Sequence, residues 1–214
     1  IVKLAAETAS AAIQRRLAML SGLQNAWYGL SLGSVLLLAA IGLAITFGVM
    51  GVINMAHGEM VMLGAYTTYV VQLAFREWLP SGLGASVVVA VPVAFLVTGL
   101  VGVAIERSII RFLYGRPLET LLATWGVSLI LQQAVRTTFG PSNREVGTPS
   151  FMSGVVELGG LAITLNRLYI IAFAGIVFAA LLAALRYTTL GLHMRAVTQN
   201  RSMASSMAIN TGRI

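Results

Sequence analysis

Three polar side chains stand close together in one of the most apolar stretches of this sequence. The stretch "GVINMAHGEM" at positions 51–60 contains Asn54, His57 and Glu59. A charged side chain within a membrane is costly, so it is expected to face the interior of a helix bundle, a water-filled cavity or a polar partner. The three residues therefore predict a translocation pathway or a gate.

The spacing of the same residues argues against catalysis. Gly58 separates His57 from Glu59, and no second histidine lies four residues further on, so the zinc-protease pattern H-E-x-x-H is absent. His193 is the only other histidine and there is no cysteine, which leaves few metal ligands. We predict no catalytic residue, metal or cofactor. An intramembrane hydrolase using His57 and Glu59 is the enzymatic alternative.

Two arrangements of the polar stretch are open. Gly51 and Gly58 bracket it and asparagine is a favoured N-cap, so a helix broken here and restarting at Asn54 would direct free backbone N–H groups into a cavity. In the simpler arrangement Asn54 caps a helix, His57 is a neutral hydrogen-bonding group between helices, and Glu59 lies near the interface with water. On a continuous helix Asn54 and His57 would share a face and Glu59 would point elsewhere.

Composition places these residues in a membrane. Of 214 residues 57% are hydrophobic and 10% charged, and the mean hydropathy is +0.86, whereas soluble chains have about a quarter charged residues. The net charge of +7 does not indicate nucleic-acid binding, because the arginines are spread among the ends of apolar runs rather than clustered on one face with aromatic residues.

The expected fold class is all-α, a polytopic transmembrane helical bundle with about five spans in this sequence. Alternation of polar and apolar residues is not sustained, and an open sheet edge cannot lie in lipid. The predicted spans are 27–49, 51–75, 84–106, 118–139 and 168–187.

The fourth predicted span adds two candidates for the pathway. Thr124 and Trp125 fall near its middle, and a tryptophan there lies away from the interfacial belt where this residue concentrates. Both could line a pathway; ordinary packing is the alternative for Trp125.

Arginine placement predicts the orientation. The loop 107–117 contains three arginines and the tail from 186 onward contains four, so both are expected in the cytoplasm and the loop 140–167 outside. Two true crossings by the first two spans place residues 1–26 outside, and a re-entrant 51–75 places them inside. The three basic residues within 1–26 favour the inside, but the apolar length of 51–75 favours crossing.

The chain divides into three predicted regions. Residues 1–26 form an amphipathic, extracytoplasmic segment, 27–190 an incomplete transmembrane domain, and 191–214 a cytoplasmic segment too polar to span. The last region is either an amphipathic helix at the membrane interface or a docking element that fits a partner's groove. Arg195, Asn200 and Arg201 are its candidate contact residues.

Three stretches are similar to one family. "GLAITFGVMGVINMAHGEMVMLGAYTTYVVQ" (42–72), "RPLETLLATWGVSLILQQ" (116–133) and "YTTLGLHMRAVTQNRSMASSMAINTGRI" (187–214) resemble the permease subunits of branched-chain amino acid ABC importers. Within that family the sequence of these stretches is most similar to that of the permease of the urea and short-chain amide importer. The resemblance extends over about residues 27–214.

The resemblance implies partners and a location. Such permeases lie in the bacterial inner membrane, surrounded by lipid, and assemble with a second homologous permease, two cytoplasmic ATPases and an extracytoplasmic substrate-binding protein. They commonly have more spans than the five visible here, so the domain is expected to continue. Residues 191–214 would correspond to the loop that carries the coupling helix, and relatives of the urea type often carry an extracytoplasmic N-terminal region, which supports an outside position for 1–26.

The resemblance also implies transport of a small polar solute without bond chemistry. Urea or a short-chain amide needs donors and acceptors, which Asn54, His57 and Thr124 could supply. An amino acid would be expected to need a charged partner at each end. Urea or amide transport is therefore the first interpretation, and a branched-chain amino acid permease or an ATPase-independent channel or secondary transporter is the alternative.

Overall fold

The computed structural model describes residues 2–50, 53–149, 151–158 and 161–207. The described part is almost wholly helical, which confirms the predicted all-α membrane bundle. Its helices are α1 (Val2–Met50), α2 (His57–Trp78), α3 (Ser86–Ser108), α4 (Pro117–Phe139), α5 (Leu165–Tyr187), α6 (Thr189–Gln199) and α7 (Arg201–Ser206), with short 3₁₀ helices at Pro80–Ala85 and Ile110–Leu113 and strands β1 (Val155–Leu158) and β2 (Leu161–Thr164).

Five long helices occupy the regions of the five predicted spans. Three of the described segments, Ser10–Gly48, Gly82–Ser108 and Leu165–Tyr187, are long and apolar enough to cross a membrane by length and composition. The other two helices, α2 and α4, are less apolar because each carries buried polar side chains. These two helices build the candidate site.

The first helix is longer than a single span requires. α1 has 49 residues, which at 1.5 Å per residue amounts to about 74 Å, against a hydrocarbon core of about 30 Å. It continues without interruption through the expected boundary between 26 and 27. The N-terminal segment is therefore helical and continuous with the first span, and its side of the membrane stays a prediction.

Two compact units are distinguishable. The first combines residues 1–38 with 150–180. It contains an antiparallel hairpin in which Val155 pairs with Thr164, so part of the long loop 140–167 has local structure. The guanidinium of Arg167 lies over the ring of Tyr28, 4.1 Å from its centroid.

The second unit combines residues 39–149 with 181–214 and contains the candidate site. In it α2 packs most extensively against α3. Glu59 contacts Ser128, and the ring of Tyr66 contacts Phe139, further along both helices. Because the contacting residues follow the same order along both helices, α2 and α4 run parallel.

Candidate functional site

The polar stretch interrupts the helical structure, but α2 does not restart where the sequence predicted. Residues 53–56 are non-helical and the helix begins at His57. The Asn54 side-chain Oδ1 accepts from the backbone N–H of Ala56 at 3.0 Å, and no side chain caps the helix. Asn54 therefore forms the turn that precedes the helix instead of acting as its N-cap. Gly51 lies outside the described residues.

Thr124 of α4 holds this interruption in place. Its side chain is 0% exposed, and its Oγ1 accepts from the backbone N–H of Met55 at 3.1 Å. The single hydroxyl proton has carbonyl acceptors at 2.8 Å on Thr120, 3.1 Å on Leu121 and 3.3 Å on Ile53. A side chain so enclosed clamps the non-helical segment to α4 and does not line an open path in this conformation.

Glu59 faces α4 and not water. Its carboxylate Oε1 accepts from Ser128 Oγ at 2.7 Å and from Gln132 Nε2 at 2.6 Å, and the residue is 9% exposed. The Gln132 amide also lies 3.3 Å from Ser128 Oγ. We call these three residues the Glu59 cluster. A buried carboxylate needs such donors, because an unpaired one would be strongly destabilising.

Sequence reasoning missed the partners of Glu59, although α4 carries a readable signal. Thr120, Thr124, Ser128 and Gln132 recur every four residues, which puts them on one face of a helix. The pattern identifies a polar stripe. Glu59, which binds this stripe, lies about 70 residues away along the chain, so the spacing within α4 could not identify it.

His57 fixes the start of α2 to the C-terminal part of α1. Its Nε2 lies 3.0 Å from the carbonyl oxygen of Ala39, so it is the donor when the proton is on that nitrogen. Gly42 leaves room for the ring, because a Cβ atom there would lie 2.9 Å from His57 Cε1. The structure thus shows His57 in the interhelical contact of the simpler arrangement.

The fifth pathway candidate is not part of this group. Trp125 is 53% exposed, while its neighbour Thr124 is fully enclosed. Successive residues on a helix point about 100° apart, so the two side chains leave α4 in different directions. The structure therefore brings Asn54, His57, Glu59 and Thr124 to one region and leaves Trp125 on an exposed face.

The candidates for partner coupling lie in and beside α6 and α7. Arg195 donates from Nη1 to the carbonyl oxygen of Leu185 at 2.6 Å, which connects α6 to the end of α5. Asn200 caps α7, its Oδ1 accepting from the N–H of Met203 at 3.0 Å. Arg201 begins α7, but its side chain is outside the described part of the structure. Residues 208–214 also lie outside it.

The arrangement supplies hydrogen bonding and helix positioning. Within the part of the chain that the structure describes, no group of three or more histidine, aspartate and glutamate residues lies close enough to hold a metal ion. The side chains of His57 and Glu59 are engaged with neighbouring helices, and the Asn54 side chain bonds within the interruption. What they can do is hold the start of α2 in one position, and their release would let it move.

Comparisons with known proteins identify similar permease proteins. A family model described as "Branched-chain amino acid transport system / permease component" matches residues 25–214. The chain is 32% identical over 199 residues to the high-affinity branched-chain amino acid transport system permease protein LivH of Escherichia coli. It is 31% identical over 204 residues to LivH of Salmonella typhimurium and 28% identical over 196 residues to BraD of Pseudomonas aeruginosa.

Each of these alignments covers 90% of this chain and 64% of the relative. The chain thus spans somewhat less than two thirds of the length of these relatives. No solved structure matches it.

Proposed function

The chain belongs to the branched-chain amino acid transport permease family, and from that premise we propose that it acts as the permease subunit of an ATP-driven importer. Its long apolar helices fit a multi-pass protein of the bacterial inner membrane. The observation that carries the proposal is the family match over residues 25–214, which includes the interrupted helix and the tail. A permease moves its solute without altering it, and the ATPase partners supply the energy.

The solute we propose is a branched-chain amino acid. The relatives LivH and BraD are named for transport of that class, and this supports the alternative from the sequence over urea or short-chain amides.

Urea and short-chain amides form the second candidate, and one observation favours them. The stretch 53–60 and the facing stripe of α4 contain no lysine or arginine to bind a carboxylate. Glu59, the carboxylate in this region, already binds two side chains of α4. A neutral solute would need neither charge. The names of the relatives are the stronger argument and favour a branched-chain amino acid, so urea and short-chain amides are the second candidate.

The interruption before α2 is the proposed gate. Thr124 holds Met55, the Glu59 cluster holds the first turn of α2, and His57 contacts α1. A transporter alternates between two conformations, and a ligand favours the one that it binds better. In this proposal the contacts of the gate are made in one conformation and broken in the other, so that the start of α2 moves relative to α4.

Movement would be transmitted from the ATPases through α6 and α7. Family membership implies a second permease, two ATPases and an extracytoplasmic binding protein as partners. α6 is fixed to α5 by Arg195, and it exposes Leu190 and Leu192, while Met203 of α7 is exposed nearby in sequence. A rigid element with exposed apolar side chains is suited to a protein groove. A channel or secondary transporter would not need this element.

Uptake by the complete importer tests the proposal. The full-length permease, its partner permease, the ATPases and the binding protein are reconstituted in vesicles, and uptake of labelled leucine and labelled urea is measured with and without ATP. We expect ATP-dependent leucine uptake. Urea uptake without leucine uptake would reverse the order of the two solutes, and uptake by the permease alone would indicate a channel or secondary transporter.

A further inference from the structure

A cavity separate from the Glu59 cluster opens where α2 meets the loop that follows α4. Its volume is about 350 Å³, at the lower end of the range of roughly 300–1,000 Å³ for small-molecule sites. It lies further along α2 than the gate, at the end of α4 that is expected to face outward. Three residues of α2 and three of the loop line it: Ala65, Tyr66, Tyr69, Asn143, Arg144 and Val146.

The walls of this cavity are held by contacts within the same unit. Arg144 donates to the carbonyl oxygen of Phe139 from both Nε at 3.1 Å and Nη2 at 2.6 Å. The ring of Phe139 packs against Tyr66 and Tyr69 with centroid distances of 4.7 and 6.2 Å. The Arg144 guanidinium is therefore positioned in advance of any ligand, which reduces the ordering cost of binding.

Two further hydrogen bonds fix the loop to α2. Gln72 is buried, its Nε2 donates to the carbonyl oxygen of Gly147 at 2.8 Å, and its Oε1 accepts from the N–H of Gly147 at 2.7 Å. This pair of hydrogen bonds holds the loop one residue beyond Val146. The lining residues of the loop and of α2 thus form one preformed wall.

Polar groups around the cavity are open to a ligand. Among the residues that the structure describes, neither the hydroxyls of Tyr66 and Tyr69 nor the Asn143 amide has a hydrogen-bond partner. Arg144 uses two of its three guanidinium nitrogens in the bonds to Phe139, so Nη1 remains for a ligand. Glu145, the next residue, is not among the lining residues.

We propose that this cavity binds the carboxylate group of the transported amino acid on its way to the gate. The Arg144 guanidinium supplies the positive charge and the Asn143 amide and the tyrosine hydroxyls supply further donors, a set that suits a carboxylate. The tyrosine rings, Ala65 and Val146 offer apolar surface to an aliphatic side chain. The identity of the solute rests on the proposed function, whereas the carboxylate chemistry rests on the cavity itself.

Protection of a single cysteine from modification tests binding directly. These 214 residues contain no cysteine, so Val146→Cys, with any cysteine elsewhere in the full-length protein replaced, places one reactive thiol on the cavity wall. The assembled importer is treated with a thiol-reactive methanethiosulfonate, with and without added compounds. Thr148→Cys is the matched control, because Thr148 is an exposed residue of the same loop and does not line the cavity.

We expect leucine to slow the modification of Val146→Cys by about tenfold at saturation, because a ligand that occupies the cavity about nine-tenths of the time or more shields the thiol to that extent. The compound 4-methylpentanoate keeps the carboxylate and lacks the ammonium group, and it should protect equally well. Leucinamide, which lacks the carboxylate, should protect far less. Adding Arg144→Gln should raise the leucine concentration needed for protection by about tenfold or more, since a hydrogen bond to a charged group is lost. Thr148→Cys should react at the same rate throughout.

Other results would overturn the inference. Equal protection by leucine and leucinamide, or protection unaffected by Arg144→Gln, would show that no carboxylate binds here. Protection that requires vesicles of phosphatidylglycerol rather than phosphatidylcholine, and is independent of leucine, would assign the cavity to a lipid phosphate instead.

Uptake measured on the same preparations separates this inference from the proposed function. Leucine uptake without protection would overturn the cavity site alone, and protection without leucine uptake would overturn the proposed function alone. Asn143→Ala provides a second variant, because Asn143 has no hydrogen-bond partner within the described residues whose loss could unfold the loop. It should raise the KM for leucine uptake severalfold, and Arg136→Gln, at the same end of α4 and outside the cavity lining, should leave the KM unchanged.

Discussion

The hydroxyl of Thr124 accepts a hydrogen bond from the backbone N–H of Met55 across 69 residues of sequence. This bond satisfies a main-chain donor in a segment that has left the helical ladder. Since a backbone N–H at membrane depth is unfavourable without a partner, the bond joins the geometry of the interruption to the position of α4. It is the contact on which the proposed gate depends most directly.

Replacement of Thr124 by valine should destabilise the interrupted segment. The change keeps the shape of the side chain but leaves the Met55 N–H without its acceptor, which costs about 1–3 kcal/mol. We expect a lower thermal midpoint of the purified permease and reduced uptake, and Thr124→Ser should retain most of both. Thr137→Val is the control, because Thr137 is exposed and donates only to the carbonyl of Gln133 within its own helix. Equal losses in the two valine variants would contradict the assignment.

Glu59 and Gln132 should be energetically coupled. In Glu59→Ala the donors of Ser128 and Gln132 lose their acceptor, and in Gln132→Ala the buried carboxylate loses a donor. The double variant should therefore be less destabilised than the sum of the single variants, with a coupling free energy of about 1–3 kcal/mol. The measurement is a double-mutant cycle on the unfolding of the permease in detergent.

The chain contains a matched control for this cycle. Arg116 and Glu119 form an ion pair of 3.2 Å with 67% and 54% of their side chains exposed, and such pairs contribute about 0–1 kcal/mol. The cycle on Arg116→Ala and Glu119→Ala should give a coupling near the lower end of that range. A coupling for Glu59 and Gln132 no larger than this would show that the Glu59 cluster is not a buried network.

Hydropathy was sufficient to predict the long helices, because backbone groups in lipid must satisfy one another within a helix. An interruption near Asn54 was one of the two arrangements open from the sequence, and asparagine favours turns. The start of α2 was not predictable: the sequence favoured Asn54, but the Asn54 side chain bonds the Ala56 N–H and the helix begins at His57. A local rule for caps could not anticipate a segment whose other contacts come from α4.

Side-chain partners were the less predictable part of the site. The interior position of Glu59 follows from its cost in lipid, yet the choice of Ser128 and Gln132 as donors depends on the parallel packing of α2 and α4. Trp125 and Thr124 share a place near the middle of the predicted span, but the helical rotation between adjacent residues separates their side chains. The contact between His57 and Ala39 depends on the path of α1 beside the start of α2.

Gly42→Ala should disturb His57 through space. A Cβ atom at position 42 would lie 2.9 Å from His57 Cε1, so the imidazole must shift away from the Ala39 carbonyl. We expect reduced uptake in Gly42→Ala, and a much smaller additional loss when the same change is made in His57→Ala, where the ring is absent. Gly48→Ala is the control on the same helix, because a Cβ atom there meets nothing within 4 Å. A loss that is unchanged in the His57→Ala background would contradict this contact.

Gly191→Ala should separate ATP hydrolysis from transport. A Cβ atom at position 191 would collide with the backbone carbonyl of Leu185, the same group that accepts from Arg195. α6 would have to move away from α5, and the rigid connection that is proposed to transmit ATPase movement would be lost. In the assembled importer we expect uptake to fall about tenfold or more, since each 1.4 kcal/mol of lost coupling free energy corresponds to a factor of ten in rate. Basal ATP hydrolysis should continue, because the ATPases themselves are unaltered.

Arg195→Gln should show the same pattern more weakly, because it removes the hydrogen bond without a collision. Gly175→Ala provides the control, as it lies in α5 with open space around the added atom. Parallel loss of uptake and basal hydrolysis in Gly191→Ala, with the complex intact, would argue against transmission through α6.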